Sequence, residues 1–187
     1  MKILYMVMVS VVALGGSAFS ADAVPQPAAQ AAVADGTVAA TAADNDWRSM
    51  IRKVMKLKDI LLRGKEARDQ INILGDDGVP LEYHIVFNKS EIIDFIILQQ
   101  DAFDKVDSTC SIERQRYLVN QVLEICESEF NFESFEEVST YFKRLINLMK
   151  QMNYQEFKND AFNKMEKQLE ELLAERRVNE LETQVAG

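Results

Sequence analysis

The 187 residues include one histidine, one tryptophan, two cysteines, three prolines and seven glycines, and each scarcity excludes something. His84 is the only imidazole, and no serine or cysteine stands in a recognisable nucleophile context. A histidine-based catalytic set therefore has no visible members, and a helix-surface position is expected for His84. Cys110 and Cys126 fall at the start of one predicted helix and about four turns along it, roughly 24 Å apart at the helical rise, beyond the reach of a disulfide. Pro80 is the only proline after Trp47, so little interrupts a helical reading of that region. Positive charge is also short: 21 Lys and Arg against 30 Asp and Glu give a formal net charge of −9. No basic run stands out, so nucleic acid is not an expected partner, and membrane contact is expected only through an uncleaved N-terminus.

Hydrophobic residues make up 48% of the chain, enough to bury a core in a single unit of this length. Residues 1–23 have one charge at Lys2, an apolar run from Ile3 to Leu14, and then small residues. That is the pattern of a signal peptide or an N-terminal anchor, and it implies an exported protein. The run falls short of the roughly 20 residues of a spanning helix. Residues 24–45 are rich in Ala, Val and Thr, hold Pro25 and Pro27 and have no aromatic residue, as expected of a disordered linker.

Residues 46–187 read as an all-α domain, an irregular bundle of about six helices. Met50, Val54, Leu57 and Leu61 predict a first helix over 47–63, which Gly64 is expected to interrupt before a second over 65–74. Pro80 should open a third, the most apolar, with Ile85, Ile92, Ile93, Ile96 and Ile97; its β-branched run could suit a strand, but no second strand candidate exists. A fourth is predicted over 111–129, with Val119, Val122 and Cys126 inward. Ser134 followed by Glu137 has the capping-box spacing and opens a fifth, whose Val138, Phe142, Leu145, Met149 and Met152 form a packing seam. Asn153, with Glu156 three residues on, predicts the start of a sixth, carrying Phe157, Ala161, Met165, Leu169 and Leu172 into a charged, solvated tail.

The segment from Ser90 to Asp107 contains Leu98-Gln99-Gln100-Asp101-Ala102-Phe103-Asp104-Lys105-Val106-Asp107. It is followed by Ser111-Ile112-Glu113-Arg114-Gln115-Arg116-Tyr117 and preceded by Gly64-Lys65-Glu66-Ala67-Arg68 and Asn72-Ile73-Leu74-Gly75. These stretches resemble the C-terminal helical domain of the catalytic A subunit of V/A-type rotary ATPases, most closely the bacterial V-type, over about residues 46–177. The resemblance implies a module of a proton- or sodium-translocating motor, with the B subunit and the central shaft as partners and a membrane-associated cytoplasmic complex as the alternative location to export. It also implies that Gln99, Gln100 and Phe103 lie toward the adenine side of the nucleotide pocket, where an aromatic face and amides suit a purine. The plainer reading has both glutamines at a helix end and Phe103 in the core.

The family's phosphate chemistry belongs to a preceding P-loop domain. Gly64-Lys65 is the only Gly-Lys pair, and a P-loop would need glycine at Asp59 and Ser or Thr at Glu66. No catalytic residue, cofactor or metal is therefore expected of this chain alone, ATP being bound by the intact family subunit. Asp101, Asp104 and Asp107 recur at every third residue, but without the glycine of a calcium loop they are expected to be solvated turn residues.

Overall fold

Helix α1 spans Ala42–Leu74, 33 residues without interruption. The computed structural model describes residues 42–178, with side chains from Asp46 onward; the leader and most of the linker read from the sequence lie outside them. Gly64 does not break α1. Its missing side chain admits the next helix: a Cβ there would run into the Cβ and Oγ of Ser90. The expected pair of helices is therefore one helix, with the glycine serving close approach rather than termination.

A 3-10 turn at Asp76–Gly78 follows Gly75, whose φ of 81° suits glycine. Pro80 then caps helix α2 (Leu81–Ile93), and the chain continues as a π-helical turn at Asp94–Leu98. Helix α3 (Lys105–Ser108) is a single turn capped by Asp104, and α4 (Ile112–Glu127) is capped by Ser111. Helix α5 (Phe135–Asn153) begins at Ser134, whose hydroxyl accepts from the Glu137 N–H as predicted. The Glu137 carboxylate reaches the Glu133 N–H, one residue before the position a capping box would give it.

The last helix, α6, covers Asp160–Ala174, with Asn159 and not Asn153 as its cap. Asn153 ends α5 instead. Its side-chain amide donates to the Ile96 carbonyl at 3.3 Å and its backbone carbonyl accepts from Arg114 at 2.5 Å, while the next N–H groups, of Tyr154 and Gln155, still donate to the α5 carbonyls of Gln151 and Met152. The inward residue of α6 is accordingly Phe162, while Ala161 is exposed. Among the described residues there are thus six α-helices, the number expected, but divided differently.

The apolar α2 is the spine of the bundle. Ile92, Ile93 and Ile96 are fully buried, and they share a core with Leu57 of α1, Val119, Val122 and Ile125 of α4, and Val138, Phe142 and Leu145 of α5. Phe130, Phe132, Tyr141 and Phe142 form an aromatic cluster with centroids 5.3 to 6.2 Å apart. The chain's last described residues close over it, with Val178 N–H donating to Glu129 O and Asn131 N–H to Arg176 O.

Two further expectations change. His84 is buried, stacked on Phe135 at 5.3 Å with Nε2 3.0 Å from the Asp76 carbonyl oxygen, because α2 turns that face toward α5. Basic charge is in fact segregated: residues 46–74 hold eight Lys or Arg against four Asp or Glu, whereas residues 75–187 hold 12 against 23. Periodicity conceals this, because the eight are interleaved with apolar residues along α1.

Candidate functional site

The loop between α2 and α4 is tied by its own side chains. The π turn ends when Gln99 becomes extended, its N–H donating to the Asp94 carbonyl at 2.8 Å. Gln99 Nε2 then donates to Asp94 Oδ2 at 2.9 Å, and Gln100 Nε2 to the Asp107 carbonyl at 2.5 Å. Asp101 accepts from the Phe103 N–H, and Asp104 accepts from the N–H groups of Val106 and Asp107, all between 2.8 and 2.9 Å. Asp107 accepts from the Asp101 N–H at 2.7 Å and is only 5% exposed. The three aspartates are therefore structural acceptors holding the loop, and Asp107 is buried rather than solvated as expected. Among the described residues no cluster of three His, Cys, Asp or Glu is placed to hold a metal.

The three residues singled out by resemblance separate here. Phe103 does not fill the core; it is 99% exposed at the apex of the loop. Gln99 is exposed at the helix end, and Gln100 is half-buried with its amide engaged inside the loop. Beside them lies a cavity of about 210 Å³, walled by Gln99, Gln100, Asp101 and Asp107 on one side and by Phe95, Lys150, Asn153 and Tyr154 on the other. Lys150 Nζ sits 3.8 Å from the centroid of Phe95, a close cation–π contact. Tyr154 OH reaches Asp101 Oδ2 at 3.5 Å; desolvation and then the Asp101 charge raise its pKa above the usual phenol value. The Asn153 Oδ1 atom is buried with no hydrogen-bond partner.

Lys150, Asn153 and Tyr154 come from the end of α5, some fifty residues from the motif, and no sequence spacing linked them to it. The one signal available was that they end the α5 seam. On this side of the bundle the loop presents an exposed ring at Phe103 and the amide groups of Gln99 and Gln100.

A family profile described as the C-terminal domain of V and A type ATP synthase matches residues 38–142. The chain belongs to this family. The V-type ATP synthase alpha chain of Borrelia duttonii (strain Ly) is 36% identical over 119 residues, covering 64% of this chain and 21% of that relative. The alpha chain of Treponema denticola is 34% identical over 119 residues, 64% of this chain and 20% of its own. That of Protochlamydia amoebophila is 30% identical over 119 residues, with the same coverage of 64% and 20%. The chain thus spans about a fifth of the length of these relatives. The family match includes the whole Gln99 to Asp107 loop and stops within α5, before Lys150, Asn153 and Tyr154.

Proposed function

We propose that the chain acts as a structural or interaction module of a V- or A-type rotary ATPase, without catalysis of its own. The observation that carries this reading is the placement of Phe103. A ring 99% exposed to water forgoes the roughly 1.5–3 kcal/mol that burying it would contribute. Yet the loop presenting it is fixed by at least five side-chain hydrogen bonds. A rigid display of an apolar side chain suits a contact made with something else. In the intact motor that contact is the adenine side of the nucleotide pocket, with Gln99 and Phe103 meeting the purine and Gln100 holding the loop. The B subunit and central shaft are the wider partners, and ion translocation belongs to the assembled complex. Phosphate, magnesium and base groups would have to come from elsewhere, since the sequence contains no P-loop pattern.

The test is affinity purification of the full chain from its own cells, probed for rotary ATPase subunits, alongside an ATPase assay of the purified chain. Motor subunits should accompany the wild type and be lost with Phe103→Ala. If the isolated chain turned over ATP free of contaminants, the module reading would fail. If Phe103→Ala retained the subunits fully, the loop would not be the contact.

A second reading rests on the apolar run at residues 3–14: an exported helical binding module using this scaffold outside the cytoplasm. Cell fractionation with N-terminal sequencing separates the two. A mature protein starting near Ala21 or Val24 outside the cytoplasm excludes assembly into a cytoplasmic motor.

A further inference from the structure

Helix α1 has two apolar faces. Met50, Val54, Leu57 and Ile60 enter the core, at 9, 5, 0 and 7% exposure. Trp47, Ile51, Met55 and Leu62 do not; they are 44, 42, 51 and 50% exposed. At about 100° per residue these four fall within roughly 80° of one another, so they form a single outward stripe. Arg48 and Arg52 border one side of it, Lys58 lies within it and Lys65 continues its line one turn on, and none of these four enters an ion pair among the described residues. Arg63 is paired with Asp59, and Lys56 with Glu127.

We propose that this outer face of α1 is a docking surface for an anionic lipid bilayer. Charge complementarity argues for the occupant. Residues 46–74 carry eight basic against four acidic residues in a chain otherwise strongly acidic, so this helix is the most positive of the six and the one a negative surface attracts most. The acidic body does not cancel this, because at physiological ionic strength charges more than about 8 Å apart are largely screened. No described helix is long and apolar enough to cross a membrane, so the contact is made lying in the interface. From Trp47 to Leu62 the stripe runs roughly 23 Å along one convex helix. That shape has no hollow to receive a protein's anchor side chains but fits a flat headgroup layer. Trp47 suits that layer, its indole being apolar on its faces with one N–H donor at its edge.

Trp47 is the only tryptophan in the chain, so its fluorescence reports on this face alone. The full-length protein is titrated with vesicles of equal phosphatidylglycerol and phosphatidylcholine, and with phosphatidylcholine alone. The emission should shift to the blue only with the anionic vesicles, and the shift should disappear as salt is raised toward 0.5 M, where the Debye length is about 4 Å. Arg48→Gln and Arg52→Gln should each raise the half-saturating lipid concentration about fivefold. Ile51→Ser with Met55→Ser should weaken binding while leaving the far-ultraviolet circular dichroism unchanged, since both side chains are half exposed. Equal shifts with neutral vesicles, no shift at all, or arginine variants that bind as the wild type would each overturn the proposal. So would a blue shift without vesicles that grows with protein concentration and is lost in the same variants, which would make the occupant a second copy.

Discussion

At Gly64 and Ser90 two helices come close enough that one added methyl group would have to displace the neighbouring side chain. Gly64→Ala should destabilise the fold by about 1–3 kcal/mol through overpacking, despite the roughly 1 kcal/mol that alanine contributes to helix propensity. Urea denaturation would measure it, and adding Ser90→Gly should recover part of the loss. The sequence showed the glycine but not its use, because propensity sees a weak helix position while the reason for the glycine lies 26 residues away. His84 misled for the same reason. Its environment is set by α5. Burial also acts on the ionisable core: it pushes the Cys126 thiol up to about 12 from an ordinary 9.0, and the Tyr141 phenol up to about 12 from 10.0. Tyr117 is raised too, by burial and then by its hydrogen bond to Glu166. All three stay protonated in the fold while the unfolded chain releases protons above about pH 9. The stability from Cys126 is therefore present below about pH 9 and that from the two tyrosines below about pH 10, and each falls by about 1 kcal/mol per pH unit above those values toward pH 12. A urea midpoint that stayed constant from pH 8 to pH 10.5 would contradict this.

The helix ends show how far local pattern reaches. Ser111 and Ser134 were legible as starts because a hydroxyl that can take the N–H three residues on is a local device, and both do so. Asn153 and Asn159 carry the same local capacity, but the N–H groups just after Asn153 still bond to α5 carbonyls, whereas the Phe162 N–H is free to reach the Asn159 side chain. Asp104 caps the shortest helix with two accepted hydrogen bonds from its Oδ1. Asp104→Ala should cost about 1 kcal/mol globally and should speed amide exchange at Val106 and Asp107 well before the rest of the chain opens. Uniform exchange across the molecule would argue against a local role. The π turn at Asp94–Leu98 was invisible to periodicity. A five-residue hydrogen bond needs no special residue, and its effect is to set Gln99 and Gln100 at an angle that an α-helical ending would miss by one residue, about 100°.

For the molecule as a whole, the all-α class and the core seam were readable because each buried face repeats at helical spacing. The closure of residues 176–178 on residues 129–131 was not, since a two-residue pairing has no period to detect. Removing residues 176–187 deletes those backbone hydrogen bonds, the Arg176 contact over Phe132 and the Arg177 pair with Glu124. The melting temperature should fall by about 2–6 °C, with the aromatic cluster loosening first; an unchanged melting curve would show the closure to be dispensable. The uneven placement of charge has a consequence at the bench as well. On net charge alone, with a sequence pI near 4.7, the protein would pass straight through a sulfonate column at neutral pH. A column bead, however, meets one side of a molecule at a time. Turned so that α1 faces the resin, this acidic protein should be retained at low ionic strength on cation and anion exchangers alike.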